Sequence, residues 1–165
     1  DLAALRPGIV ALDLSAYGHT GPWRRRRGFD SLVQMASGIA DDGARAAGAD
    51  RPTPLPVQAL DHGTGWLAAA AIMTALRRQR AEGGSWHLRL ALARTGAWLD
   101  GIGRLPEGVP SAERPAPADA ADLFAEVDSP FGRLTHVRFP GDLPGAPPRY
   151  DHAPHVPGSD PAEWW

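Results

Sequence analysis

Hydrophobic positions near the start of the chain predict a strand followed by a short helix. Ile9–Ser15 is a brief apolar run with β-branched residues, a pattern typical of a strand buried on both faces of a parallel sheet. Over Phe29–Ser37 the apolar residues share one side of a helix, and Gly38 ends that pattern. Residues 16–28, rich in glycine and arginine, are predicted to connect the two as a loop.

A longer helix and a second strand follow. The Ala-rich segment Leu67–Arg80 is predicted to belong to a helix that begins after Asp61. Leucines alternate with polar residues over Trp86–Ala93, which predicts a strand and therefore a parallel crossover. Asp41–Pro56 is polar and rich in Gly and Pro, so we expect an irregular surface loop there. A further short helix is predicted over Thr95–Ile102.

The last third of the chain has a different pattern. Residues 106–117 contain four prolines and are predicted to be a linker. Two short strand-like segments flank Ser129–Gly132, which predicts a hairpin. We therefore divide the chain into a core (1–105), the linker (106–117) and a C-terminal segment (118–165). The predicted fold class is α/β: a partial Rossmann-like parallel sheet with flanking helices, a small C-terminal β appendage and an extended Pro-rich tail.

Composition narrows the possible chemistry. Hydrophobic residues make up 43% and charged residues 22% of the 165-residue chain, an ordinary globular mixture, and the net charge is −2. We therefore expect neither a nucleic-acid nor a membrane partner. The chain has no cysteine, which excludes thiolate catalysis. All 17 basic residues are arginine, which excludes Schiff-base chemistry on lysine.

Asp61 has two interpretations. An aspartate at the start of a helix commonly accepts hydrogen bonds from the first-turn N–H groups as a cap. Those donors and the positive helix end also favour a charged, well-oriented carboxylate, and Gly63 and Gly65 leave room for a ligand to approach the backbone. Such a carboxylate is able to attack a thioester carbonyl, with nearby N–H groups stabilising the oxyanion.

Four consecutive arginines, Arg24–Arg27, lie in the predicted loop. A run of like charges is usually a solvated surface. Guanidinium groups also hold phosphates through paired, charge-assisted hydrogen bonds, and Pro22, Trp23 and Gly28 favour a loop of defined shape. The six histidines are scattered without a ligand spacing, so we predict no metal site.

Several of these segments together resemble the family III CoA-transferases, the CaiB/BaiF or formyl-CoA and carnitine CoA-transferase type. The similar segments occur in the family's order and cover the chain from about Arg6 to Leu99. They are Pro7–Pro22, Gly28–Gly38, Asp61–Gly65, Ala69–Arg80 and Gly83–Leu88. The C-terminal segment, including Ser129–Arg133, also resembles the family's closing segment.

The resemblance implies a role for particular residues. Asp61 matches the catalytic aspartate, which would form an acyl anhydride and then an aspartyl-CoA thioester. Arg26, Arg27, Gly28 and Phe29 match the segment that lies along CoA. The residues implied to position the substrate are Asp30, His62, Gly63 and Gly65. CoA and acyl-CoA would be substrates, a carboxylate would be the acceptor, and no tightly bound cofactor is expected.

Departures from the family pattern leave alternatives open. Racemases of the superfamily use a histidine that would fall at Phe29, and phenylalanine transfers no proton, so transfer is favoured over racemisation. No counterpart of the family's N-terminal portion or of its separate small domain is present, which motivates a second hypothesis of a catalytically incomplete, partner-binding subunit. We expect a cytoplasmic protein that is a homo-oligomer, such as a homodimer, or that has a companion chain supplying the N-terminal region.

Overall fold

A computed structural model of the chain describes residues 2–104, 116–141, 143–146, 148, 150 and 152–163. The chain divides into two compact units, Asp1–Val109 and Pro110–Trp165. Most of the predicted linker, residues 106–115, lies outside the described residues. The first unit is mixed α/β with a parallel strand pair, and the second contains an antiparallel pair, which confirms the predicted fold class.

The first unit contains two strands and five helices within residues 2–104. In chain order they are α1 (Leu2–Leu5), β1 (Val10–Ser15), α2 (Asp30–Ala36), α3 (Ile39–Ala47), α4 (Ala59–Glu82), β2 (Trp86–Ala91) and α5 (Leu92–Gly101). Strands β1 and β2 pair in parallel, with Val10 opposite Trp86 and Ser15 opposite Ala91. The predicted crossover is therefore confirmed.

Strand β1 is less buried than its apolar sequence predicts. Asp13 and Leu14 are exposed, so the prediction of a strand buried on both faces is wrong. One face of the strand pair is polar, because Asp13 and His87 lie on it and their side chains bond at 2.7 Å. In the described part of the chain, the helices cover the sheet incompletely. A strand with one face open to solvent carries polar side chains on that face.

Helix α4 runs antiparallel to the two strands. Near its C-terminal end, the Gln79 side chain donates a hydrogen bond to the carbonyl of Gly8, just before β1. Near its N-terminal end, Thr64 Oγ1 bonds Thr95 Oγ1 of α5 at 2.6 Å, just after β2. The N-terminus of α4 thus lies at the carboxyl ends of the parallel strands, the edge at which such sheets usually bind ligands.

A small core holds this edge together. Helices α2, α4 and α5 each contribute one buried apolar side chain, Val33, Leu60 and Leu92. Ile39 packs against them, and at Gly96 a Cβ would lie 3.5 Å from Ile39 Cδ1. Each such side chain contributes about 2 kcal/mol when fully buried. The start of α4 is therefore fixed by packing from two neighbouring helices.

Helix α3 was not predicted, since the sequence indicated an irregular loop over Asp41–Pro56. Its buried face consists of small residues, Ala40 and Ala44, which give a weak hydrophobic signal. Gly43 resembles a helix breaker, yet a Cβ there would lie 2.0 Å from the carbonyl oxygen of Thr53. The glycine is therefore needed because the following loop packs directly onto the helix.

The second unit contains a 3-10 helix, Pro117–Leu123, and the strands β3 (Phe124–Ser129) and β4 (Gly132–Val137). The strands pair antiparallel, with Ser129 opposite Gly132. Gly132 has a φ of +97°, a conformation that favours glycine. The predicted hairpin is confirmed. After Val137, the described residues form neither helix nor strand.

Replacing Gly43 with alanine is expected to destabilise the protein by about 1–3 kcal/mol, since the added methyl group overlaps the Thr53 backbone. The matched control is Gly65→Ala in α4, where a Cβ meets nothing within 4 Å. That substitution is expected to stabilise by about 0.5–1 kcal/mol through helix propensity. Urea unfolding of both variants measures the difference, and equal unfolding midpoints would contradict the packing assigned to Gly43.

Candidate active site

Asp61 is the third residue of α4, because the helix begins at Ala59 rather than after Asp61. The cap position is occupied by Gln58, whose side chain makes no capping hydrogen bond. The Asp61 carboxylate is exposed, and no hydrogen bond or ion pair joins it to any residue that the structure describes. The interpretation of Asp61 as a helix cap is therefore wrong. Its carboxylate lies in the first turn, where the positive helix end favours a negative charge.

The side chain that caps this turn belongs to Asp30 of α2. Asp30 is completely buried, and its Oδ2 accepts a hydrogen bond from the backbone N–H of Asp61 at 2.8 Å. Its other oxygen accepts a hydrogen bond from Nε2 of Gln34, which is also fully buried. A buried carboxylate is costly without partners, and here each of its oxygens has one. The structure thus brings Asp30 and Asp61 together through a backbone contact.

Most N–H groups of the first turn of α4 are already engaged. Ala59 donates to the carbonyl of Val57 at 2.8 Å, and His62 donates to the carbonyl of Gln58 at 3.0 Å. Asp61 donates to Asp30. An N–H group held in this way is not free for an oxyanion. The expected oxyanion donors are therefore not these three groups.

Gly63 and Gly65 lie inside α4 rather than in a loop before it. A Cβ at Gly63 would lie 3.3 Å from Thr95 Cγ2, so this glycine allows α5 to approach. A Cβ at Gly65 would meet nothing within 4 Å. Residues four apart share a helix face, so Gly65 leaves open space one turn after Asp61. Of the two glycines expected to leave room for a ligand, Gly63 and Gly65, only Gly65 has open space beside it.

His62 is exposed and follows Asp61 directly in the helix. Neighbouring helix residues do not face each other, so His62 is directed away from the Asp61 carboxylate by roughly 100°. A role for His62 in substrate positioning stays a prediction.

The arginine loop has a defined shape. The Arg26 guanidinium lies over the Trp23 ring at 4.3 Å, and Trp23 in turn meets the Tyr17 ring edge-on at 5.0 Å. A Cβ at Gly28 would lie 2.9 Å from both Ala16 Cβ and the Tyr17 ring, so a larger residue would displace the loop. Arg27 is exposed, and no acidic side chain among the described residues pairs with it.

This loop leads directly to the aspartate pair. Phe29 is 78% exposed and precedes α2 as its cap residue, whereas the next residue, Asp30, is buried. Beside the loop lies a cavity of about 360 Å³, whose lining includes Tyr17, Trp23 and Val33. No hydrogen bond or ion pair joins Arg26 or Arg27 to Asp61 within the described residues. The loop is linked to Asp61 through Asp30, which follows Arg27 by three residues in the chain and accepts a hydrogen bond from the Asp61 N–H.

Three buried polar residues of this region were not predicted: Gln34, Thr64 and Thr95. The sequence signal for Gln34 was its spacing of four residues from Asp30, which places both on one face of α2. Thr64 and Thr95 carried no such signal, because a threonine suits many helix positions and their contact joins residues 31 positions apart. Their bond fixes the spacing between α4 and α5. The apolar face predicted for α2 is wrong, because Leu32 and Ala36 are exposed and the buried residues are Asp30, Val33 and Gln34.

The crossover thus places Asp61 in the first turn of α4, at the edge where parallel sheets usually bind ligands. Comparison with protein families identifies the class: the model of CoA-transferase family III matches residues 1–121. The chain belongs to that family, as the sequence resemblance predicted.

Similar proteins include several CoA-transferases. An acetyl-coenzyme A transferase, nodX, from Hypoxylon pulicicidum is 26% identical over 130 residues, which are 78% of this chain and 20% of that protein. The succinyl-CoA–L-malate CoA-transferase alpha subunit of Chloroflexus aurantiacus is 38% identical over 85 residues, 50% of this chain and 19% of that protein. The chain thus spans about a fifth of these relatives.

The fold has a solved counterpart. The crystal structure of a CAIB/BAIF family protein from Brucella suis superposes with a TM-score of 0.51 at 23% identity. The match covers 80% of this chain and 35% of that one. Among the described residues, no helix is long and apolar enough to cross a membrane.

Replacing Asp30 with asparagine is expected to loosen the first turn of α4. The carboxylate accepts two hydrogen bonds, from Gln34 and from the Asp61 N–H, whereas an asparagine offers one oxygen and one NH₂ group. One donor would then face another donor, at a cost of about 2 kcal/mol. NMR-detected exchange of the Asp61 amide should accelerate, and the unfolding midpoint should fall.

The control for that substitution is Asp41→Asn on α3, an exposed carboxylate paired with Arg45. Surface pairs contribute little, so stability should change by less than about 0.5 kcal/mol. An Asp61 amide that exchanges equally fast in both variants would show that Asp30 does not hold the turn.

Proposed function

We propose that this protein transfers CoA from an acyl-CoA to a carboxylate acceptor, with Asp61 as the nucleophile. The observation that carries the proposal is the exposed Asp61 carboxylate without a structural partner in the described residues, at the ligand-binding edge of a parallel sheet. A carboxylate without a structural partner is available to react. Family membership supports the same chemistry.

The proposed reaction conserves every group. The Asp61 carboxylate attacks the thioester carbonyl, releases CoA thiolate and forms a mixed anhydride. The thiolate attacks the Asp61 carbonyl, which gives an Asp61–CoA thioester and the free donor acid. The acceptor carboxylate then attacks that thioester and again releases thiolate. Attack of thiolate on the acceptor's acyl carbon forms the new acyl-CoA and restores Asp61.

The arginine loop is proposed to hold CoA. The 3′-phosphate and the pyrophosphate of CoA are anionic, and guanidinium groups bind phosphates in paired geometry. Arg27 is exposed and has no acidic partner among the described residues, and Arg26 is oriented by Trp23. Gly28 and Phe29 continue this surface toward α2. The side chain of Phe29 is exposed and offers an apolar contact.

Around the nucleophile, the proposal assigns supporting roles. Asp30 holds the backbone of Asp61, and Gly65 leaves space next to the carboxylate. Gly63 keeps α5 close to α4, and His62 contacts substrate. No tightly bound cofactor is required, since each step uses only Asp61, CoA and carboxylates. A cytoplasmic location and a homodimer, or a companion chain, remain parts of the proposal.

Replacing Asp61 with asparagine should abolish adduct formation while leaving the fold intact. The purified protein is incubated with an acyl-CoA, and the Asp61 peptide is examined by mass spectrometry after trapping with hydroxylamine or borohydride. Loss of the nucleophile should lower the rate by at least about 10³-fold. Stability should fall by less than about 1 kcal/mol, because the carboxylate has no partner among the described residues and loses only its interaction with the helix end. Asp50→Asn, another exposed carboxylate, is the control and should retain the adduct.

A protein that binds CoA but never carries a trapped Asp61 product would contradict the catalytic proposal. A product that persists in Asp61→Asn would assign the nucleophile to another residue.

Replacing Arg27 with glutamine should weaken CoA binding about tenfold, through loss of one phosphate contact. Dephospho-CoA, which lacks the 3′-phosphate, distinguishes that phosphate from the pyrophosphate. Arg45→Gln is the control, because Arg45 is already paired with Asp41 and Asp42. Calorimetry at fixed salt compares the variants, and equal affinities for Arg27→Gln and Arg45→Gln would refute the loop's role.

A second candidate function is a partner-binding subunit without turnover. Along α4 the exposed residues Trp66, Ala70 and Met73 form an apolar stripe, and each strand of the parallel pair has one unpaired edge within the described residues. Such surfaces favour association. Two Chloroflexus relatives are named as alpha and beta subunits. A protein that elutes as a monomer in size-exclusion chromatography and does not bind CoA would favour this function. Racemisation stays disfavoured, because Phe29 transfers no proton.

A further inference from the structure

We propose that Gln34 is a positioning residue for Asp61, acting through Asp30 and through the loop that leads into α4. This inference rests on the proposed function and deepens it. It assigns to a buried amide the task of fixing where α4 begins, and thereby where the nucleophile lies.

The side-chain amide of Gln34 contacts three groups. Its Nε2 donates to Asp30 Oδ1 and, at 3.4 Å, to the carbonyl of Val57. Its Oε1 accepts a hydrogen bond from the backbone N–H of Leu55 at 2.8 Å. Asp30 in turn holds the Asp61 N–H. The Gln34 side chain therefore orients the Asp30 carboxylate, which lies on the same helix, and also attaches the loop before α4 to α2.

The loop has few other groups by which it can be anchored. Pro52, Pro54 and Pro56 have no N–H, so Thr53 and Leu55 provide the backbone donors among them. Thr53 donates to the carbonyl of Ala40 in α3 at 2.8 Å. Leu55 donates to Gln34. Removing the Gln34 oxygen would release the half of this loop that adjoins α4.

The position requires an amide. A donor must face the Asp30 carboxylate while an acceptor faces the Leu55 N–H, and glutamine offers both on one planar group. An ionised glutamate offers only acceptors and would repel Asp30. A protonated glutamate, with one O–H and one carbonyl oxygen, reproduces the glutamine pattern. This difference makes the role of Gln34 testable by pH.

The first variant is Gln34→Met, which keeps the volume and removes the amide. Exchange of the Asp61 amide should accelerate about tenfold, and the rate of Asp61 adduct formation should fall about tenfold with little change in the KM for acyl-CoA. Ala75→Gly is the matched control, since Ala75 is buried in the same helix as Asp61 but lies 14 residues further along it, where glycine costs about 1 kcal/mol. It should lower the unfolding midpoint while leaving the adduct rate and the Asp61 amide exchange of the folded protein unchanged.

The second variant is Gln34→Glu, which keeps the test decisive where Gln34→Met fails to fold. Its adduct rate relative to the unmodified protein should be lowest at high pH and recover as the pH falls, since protonation restores the O–H donor to Asp30. A ratio that is constant with pH would overturn the inference.

The outcomes for Gln34 and for the proposed function are separate. If Gln34→Met changes only the unfolding midpoint, as Ala75→Gly does, the positioning role of Gln34 is overturned. If the unmodified protein forms no Asp61 adduct, the proposed function fails, and with it the catalytic meaning of Gln34. Asp61 amide exchange identifies which of the two has failed, because it is measured without substrate.

Discussion

The hydrogen bond from the Asp61 N–H to the buried Asp30 carboxylate is the contact on which the site depends. It joins the N-terminal ends of α2 and α4 at 2.8 Å. Burying the Asp30 carboxylate is costly, and the hydrogen bonds from the Asp61 N–H and the Gln34 amide offset that cost. Because Asp30 does the capping, the carboxylate of Asp61 has no structural task within the described residues. The same contact thus stabilises the helix end and leaves the Asp61 carboxylate exposed.

Much of the first unit follows from hydrophobic periodicity. Strands β1 and β2 and helices α2, α4 and α5 were all predicted within a few residues, although the face that α2 buries was predicted wrongly, since Leu32 and Ala36 are exposed. Helix α3 was missed since its buried face is built from alanines and its Gly43 indicated a loop. That glycine is explained by the Thr53 backbone, a contact between residues whose proximity no local pattern reveals.

The site was predictable in part. Asp61 and the arginine loop were proposed from their residue types and from the family resemblance. The match over residues 1–121 confirms the family, and the roles of these residues stay predictions. The predicted position of Asp61, just before the helix, was wrong. The prediction assumed that an aspartate before an apolar helical run precedes the first turn, as it usually does. The exposed first turn depends on Asp30, which lies 31 residues earlier. The role of Gln34 likewise depends on tertiary contacts with a loop 21 residues away.

The absence of a described partner for the Asp61 side chain has an evolutionary consequence. A residue that supports no contact is lost at little thermodynamic cost, whereas Asp30 is tied to the fold through both oxygens. Selection for stability alone would therefore retain Asp30 and let position 61 drift. In chains of this architecture, an intact fold therefore does not by itself indicate activity. Under the proposed mechanism, the residue at position 61 indicates whether catalysis is still under selection.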